Sequence, residues 1–311
     1  MAQVYFLLFA GLALLFVSGK YLVDSSVAIS RRLRIPRMIT GLTVVAFGTS
    51  APELLVSIQA AFSGYPEIAI GNVIGSNISN ILLVLALTAL VFPIPVPASS
   101  VKRDWPIMMG ISLLLFYFSL NGHISRLEGG IFVALLAGYI LYSVLISKGP
   151  GQEEMEITAE KAMPWWLAGT IFLLSCAGLA FGADLLVENV AQIAEEAGIS
   201  KRVISITMVA VGTSIPEMAT SVIAAFKKET DISVGNIIGS NIMNILSVLG
   251  FTSLVSPISV SDEIAGFDIP WMLGISLLLL FLMLPASRSR ISRWEGSFMI
   301  IIYLLYIYLL F

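Results

Sequence analysis

The hexapeptide Gly48-Thr49-Ser50-Ala51-Pro52-Glu53 interrupts an apolar run, and Gly212-Thr213-Ser214-Ile215-Pro216-Glu217 does the same later in the chain. A proline inside a helix has no N–H to donate, and its ring clashes with the carbonyl four residues back. Pro52 therefore releases the carbonyl of Gly48, and Pro216 that of Gly212. The helix must bend at both places. Glycine adds freedom in the same turn, so the carbonyls around Ala46 to Thr49 and Ala210 to Thr213 are expected to turn away from the helix axis. A glutamate follows each proline directly.

The surroundings say what such a break is for. Of the 311 residues, 58% are hydrophobic and 12% charged, about half the charged fraction of a soluble domain. Charge-poor stretches of roughly 20 residues recur along the chain, each long enough to cross the hydrocarbon as a helix. The chain reads as an all-α integral membrane protein. Met1-Ala2-Gln3-Val4 lacks the basic region and cleavage pattern of a signal peptide, so the first run is expected to be retained. The single cysteine, Cys176, excludes an intrachain disulfide. A net charge of -3 with no basic block argues against nucleic acid as a partner. No protein partner is evident either.

Ten spans are predicted: 3–22, 38–62, 67–92, 106–121, 127–147, 164–189, 203–226, 232–255, 269–285 and 295–311. The second five repeat the first five. Glu53 and Glu217, Ser76 and Ser240, Asn80 and Asn244, and Asp104 and Asp268 all stand 164 residues apart. Alternate loops hold thirteen of the seventeen Lys and Arg residues, which places those loops in the cytoplasm and both termini outside. An odd number of spans per repeat then sets the two halves upside down relative to each other, as in secondary transporters. The expected organisation is a first inverted repeat at 1–147, a short cytoplasmic linker at 148–163 and a second repeat at 164–311, with broken helices at the midplane.

In lipid, freed carbonyls are tolerated only where protein, water or an ion satisfies them. An ionised carboxylate at that depth is costly unless paired, and no Lys or Arg lies mid-span to pair with Glu53 or Glu217. Ser76 and Asn80, like Ser240 and Asn244, lie four apart on one helical face. The predicted site is therefore built from oxygens alone. Calcium favours such a shell, taking about 6–8 oxygen ligands. The absence of His and Cys disfavours zinc, copper and iron, and magnesium gives up its water reluctantly. Two carboxylates balance one divalent or two monovalent cations, which suggests that calcium competes with sodium or protons.

At this point the chain resembles the cation/calcium exchanger superfamily, in particular the sodium/calcium exchangers of prokaryotic type. The matching residues are the paired signatures GTSAPE…GNVIGSNISN at 48–80 and GTSIPE…GNIIGSNIMN at 212–244. The resemblance implies an electrogenic antiporter of the plasma (inner) membrane that exchanges sodium for calcium by alternating access. It implies transported calcium and sodium but no cofactor. It makes Glu53 and Glu217 the central shared carboxylates and gives backbone carbonyls of Thr49 and Thr213 to calcium. Together with Ala46, Ala210, Ser50, Ser214, Ser76 and Ser240, these threonines would build the flanking sodium sites, with Asn80 and Asn244 at the remaining central positions. Asn244, where several relatives carry aspartate, leans toward potassium independence. The glutamate that proton-coupled relatives place after the Gly-Asn pair is absent, so proton/calcium and potassium-dependent exchange are the alternatives, ahead of a passive channel. The moving parts implied are the first and sixth spans, which share Ala-Gly-Leu-Ala at 10–13 and 177–180.

Other residues have plainer readings. Gly71, Gly75, Gly235 and Gly239 are expected to serve close helix contact, and Asn72, Asn77, Asn236 and Asn241 to make hydrogen bonds between helices. Glu153, Glu154 and Glu156 read as a solvated acidic run. An enzyme is not expected, because a nucleophilic Ser50 or Ser214 needs a base, and the sole histidine, His123, falls in a loop far in depth from both.

Overall fold

The structure, a computed structural model, describes residues 2–146, 163–197, 212–284 and 290–310. Helices stand at all ten predicted positions, because each apolar run satisfies its backbone internally. They are α1 (Ala2–Leu33), the bent pair α2 (Arg37–Thr49) and α3 (Ala51–Phe62), α4 (Glu67–Val91), α5 (Trp105–Ser119) and α6 (Arg126–Ile146). The second half contributes α7 (Trp165–Glu196), α8 (Ile215–Phe226), α9 (Thr230–Val255), α10 (Ile264–Met283) and α11 (Arg293–Leu309). Among the described residues six of these, α1, α4, α6, α7, α9 and α10, are long and apolar enough to cross a membrane, and the α2/α3 pair is a seventh candidate. Two helices overrun the predicted spans. α1 continues to Leu33 and α7 to Glu196, since the end of an apolar slab does not oblige a helix to stop. Asp24 thus lies inside a helix.

The centre of the molecule is the crossing of α2 with α9. A Cβ on Gly235 would stand 2.6 Å from the Met38 carbonyl oxygen, and one on Gly239 would stand 2.5 Å from that of Leu42. Gly41 completes the seam from the other side, its missing Cβ 2.7 Å from the Ile232 carbonyl oxygen. The expected close contact therefore holds for Gly235 and Gly239. Gly71 and Gly75 meet nothing within 4 Å among the described residues, and the segment that repeats α2 lies outside them.

α1 and α7 form a separate layer, packed along each other through small residues. Cβ atoms at Gly11 and Gly182 would come within 3.0 Å and 3.2 Å of each other's carbonyl oxygens, and one at Gly178 would overlap the Ser18 hydroxyl. An ion pair of 2.5 Å between Asp24 and Lys227 ties α1 to the end of α8.

The last helix of each half packs on the long central helix of the other. Gly129 of α6 lies against the Gly250 carbonyl of α9, and Gly296 of α11 against the Ala86 carbonyl of α4. Both helices start on the same box, in which a serine hydroxyl and a glutamate three residues later cap each other's backbone N–H: Ser125 with Glu128 and Ser292 with Glu295. Short antiparallel strands repeat the exchange. β1 (Ile94–Pro95) pairs with β4 (Arg290–Ile291), and β2 (His123–Ile124) with β3 (Ile258–Ser259).

Contacts between loops fall into two sets. Arg32 reaches the Met163 carbonyl at 3.2 Å, Arg37 pairs with Glu229 at 2.5 Å, and β1 pairs with β4. These are the loops that hold most of the basic residues. At the other end, β2 pairs with β3 and Arg126 reaches the Val255 carbonyl at 3.2 Å.

Candidate ion site

The first signature hexapeptide becomes a helix break followed by a new helix, and the second leads into the start of a new helix. Ser50, with φ -85° and ψ 5°, separates α2 from α3, and Ser214, with φ -87° and ψ 1°, precedes α8. Pro52 and Pro216 fall in the first turn of the new helix, where a missing N–H costs nothing. The bend between α2 and α3 is 42°. One expectation needs correcting: the Ala46 carbonyl is not free, since it accepts from the Ser50 N–H at 2.9 Å and lies 3.3 Å from the Thr49 hydroxyl. The opening lies after Ala46. Ala210 lies outside the described residues, as do residues 147–162 with Glu153, Glu154 and Glu156.

The breaks bring Glu53 and Glu217 to the centre, both with no solvent exposure, and near enough that Glu53 feels the charge of Glu217. Neither carboxylate oxygen of Glu53 has a hydrogen-bond partner. Glu217 Oε1 accepts from Ser50 Oγ at 3.2 Å, Thr49 and Ser240 also interact with its carboxylate, and Oε2 is left without a partner. Around them the two halves join. Thr49 Oγ1 stands 3.1 Å from Asn236 Oδ1 and 3.4 Å from Ser240 Oγ, while Ser76 and Thr213 share a hydroxyl contact of 3.0 Å. Asn80, Asn244 and Ser214 are fully buried, with both amide atoms of Asn80, Asn244 Oδ1 and Ser214 Oγ unpartnered. Of the sequence-predicted residues, Glu217, Ser50, Thr49 and Ser240 are thus joined by contacts across the two halves, Glu53 lies near Glu217, and Ser76 and Thr213 touch each other.

Two groups of oxygens this dry and this incompletely bonded are costly unless something else binds them. The set is acceptor-rich and holds neither histidine nor cysteine, so it suits a hard cation. The pairing is also lopsided. Ser50 bonds Glu217, but the equivalent contact of Ser214 with Glu53 is not made.

Sequence reasoning missed one feature. At Asn80–Leu85 and again at Asn244–Leu249 the helix widens into a π turn that begins on the asparagine itself. Such turns recur at functional sites, but no residue type marks them, and only the repetition of Asn-Ile-Leu at both places hinted at a shared geometry. The four further asparagines were expected between helices, and most of them are there. Asn72 and Asn236 donate to Ser57 and Ser221 of the preceding helices at 3.2 and 3.0 Å, and Asn77 reaches the Asn241 carbonyl at 3.3 Å. The expectation of bonds between helices holds for these three; the Asn241 side chain instead donates within its own helix, to Ile237. His123 is exposed on β2 beside the Asn121 carbonyl.

Comparison with known proteins agrees with this geometry. The family description "Sodium/calcium exchanger protein" matches residues 3–145 and 167–311. The chain is 39% identical over 310 residues to the putative antiporter CaxA of Alkalimonas amylolytica, covering 97% of this chain and 96% of that one. It is 34% identical to the sodium/calcium exchanger MaX1 of Methanosarcina acetivorans, with 99% and 98% covered. A solved structure of the sodium-calcium exchanger NCX_Mj, soaked with 100 mM Na+ and 10 mM Sr2+, superposes with a TM-score of 0.82 at 30% identity, covering 99% of this chain and 98% of that one. A helical membrane architecture, a buried pair of glutamates each following a proline in the first turn of a helix, and matches along nearly the whole length converge: the chain belongs to the sodium/calcium exchanger family of membrane antiporters.

Proposed function

We propose that this protein exchanges sodium for calcium, electrogenically and by alternating access, through ten transmembrane helices arranged as two inverted five-helix repeats. The repeats are 1–147 and 164–311, joined by the cytoplasmic linker 148–163, with both termini outside the plasma membrane. The observation that carries the reading is the pair Glu53 and Glu217, fully buried, outside any ion pair among the described residues, with hydroxyls from both halves around Glu217. Glu53, Glu217, Thr49, Thr213, Asn80 and Asn244 form the central site. Ser50, Ser214, Ser76, Ser240 and Ala210 form the flanking sites with Ala46, whose carbonyl joins by exchanging the Thr49 hydroxyl for the ion. The names of MaX1 and NCX_Mj as sodium/calcium exchangers support the choice of ions. The grouping of basic loops at one end supports the orientation.

The test is calcium-45 uptake into sodium-loaded proteoliposomes diluted into sodium-free, potassium-free buffer, with proton-gradient and no-gradient controls. Uptake driven by the sodium gradient alone is expected. Uptake only with a proton gradient would place the protein among proton-coupled exchangers. A need for potassium would contradict the reading of Asn244, and flux without any counter-ion would favour a channel. Acid is expected to inhibit: a carboxylate must be ionised to take calcium, so uptake falls as pH drops from neutral toward about 5. A flat profile over that window would remove the carboxylates from the site.

Access to the site is assigned to α1 and α7 sliding together over the remaining helices. The smooth glycine and serine contact between them supports a pair that moves as one body. A cross-link between α1 and α3 is expected to abolish exchange, and full transport by the cross-linked protein would exclude sliding.

A further inference from the structure

A buried asparagine can help hold a cation only if its carbonyl oxygen, and not its amino group, faces the ion. At Asn244 the structure decides which end that is. Asn77, 1% exposed, has its Nδ2 3.3 Å from the Asn241 backbone carbonyl and 3.7 Å from Met272 Sδ, both acceptors. Its amino group is thereby committed, and its Oδ1 points the other way. Asn244 Nδ2 donates to that Oδ1 at 3.1 Å. The Asn244 amino group is then also committed, and its Oδ1 is left buried without a protein partner. Ser240, one turn earlier on the same face of α9, contacts Thr49 and interacts with Glu217, so the free oxygen belongs to the same polar centre.

The repeat partner shows that this arrangement is not generic. Neither amide atom of Asn80 has a partner, and Asn241, which repeats Asn77, has its Nδ2 on the Ile237 carbonyl of its own helix at 2.9 Å and its Oδ1 on nothing. We propose, resting on the exchanger reading above, that Asn77 is a positioning residue: it locks the Asn244 amide with its oxygen toward the cation, in the second half of the site only. Among the described residues Asn80 has no such lock.

The experiment is a double-mutant cycle on sodium-driven calcium-45 uptake in proteoliposomes. Asn77→Ala is expected to raise the calcium KM about fivefold, the scale of one lost neutral hydrogen-bonding ligand, with kcat nearly unchanged. Asn241→Ala, which removes a side chain of the same type from the equivalent position, is expected to leave KM unchanged. In an Asn244→Asp background both side-chain ends are oxygens and no wrong orientation exists. There Asn77→Ala is expected to change KM by less than about twofold. Equal effects in the two backgrounds, or an Asn241→Ala shift matching that of Asn77→Ala, would overturn the proposal. Asn77→Leu fills the same space without the acceptor and answers the same question if the alanine variant does not accumulate. Absence of sodium-driven uptake by the unmodified protein would fail the exchanger reading instead, before the cycle is reached.

Discussion

Glu53→Gln and Glu217→Gln are each expected to reduce sodium-driven calcium uptake by roughly a hundredfold or more. Glutamine keeps the shape of the side chain and removes half of the formal charge that faces the cation. Stripping one partner from a buried charge pairing costs about 3 kcal/mol or more, which is a factor of about a hundred. The two variants should fail alike, although Glu217 has Ser50 as a donor and Glu53 has none, because a glutamine oxygen can still accept from Ser50 while the missing charge cannot be replaced. The check is uptake at saturating and limiting calcium, alongside the melting temperature of the purified protein. Removing an uncompensated buried carboxylate is expected to leave folding intact or improve it. Near-normal exchange by either variant would take that glutamate out of the site.

Gly239→Ala should be strongly damaging. The new Cβ would stand 2.5 Å from the Leu42 carbonyl oxygen, 2.7 Å from Leu42 Cα and 2.8 Å from Ala46 Cβ. Two of those atoms are backbone, so no rotamer change relieves the contact and α2 must move off α9. Overpacking of this kind costs about 3 kcal/mol, a fall of roughly 5 °C in melting temperature for a chain of this size. Thr49 travels with α2 and would leave Asn236 and Ser240, so exchange should fall as well. Gly274→Ala is the control, because nothing lies within 4 Å of its missing Cβ. It is expected to be neutral or slightly stabilising, as alanine favours a helix by about 1 kcal/mol over glycine. Equal melting of the two variants would show that the α2–α9 seam is not tight.

Much of this was legible in advance because the strongest constraints in a membrane are local. A run of apolar residues must be a helix, so all ten positions were readable, and a proline with a glutamate inside such a run declares a break and a charge together. Constant spacing then joined Ser76, Asn80, Ser240 and Asn244 to the glutamates. What the letters did not carry is what depends on three or more elements at once. The Asn77 amide is oriented by Asn241 and Met272 before it can orient Asn244. The π turns at Asn80 and Asn244 add a residue to the helical turn without any change of composition. Helix ends were misjudged at Leu33 and Glu196 because hydropathy reports the thickness of the apolar layer, while the backbone hydrogen bonds run on into the loop.

The reciprocal packing of the two halves bears on the order in which the chain can be finished. While the first half is being synthesised, Ile94 and Pro95 have no strand to pair with, since Ile291 and Arg290 emerge close to the end. Gly129 likewise waits for Gly250, and Ala86 for Gly296. These contacts of the early helices must therefore wait until the later helices arrive. Assembly governed by such distant partners is slow, and a chain released before Arg290 has no means of closing its own first half.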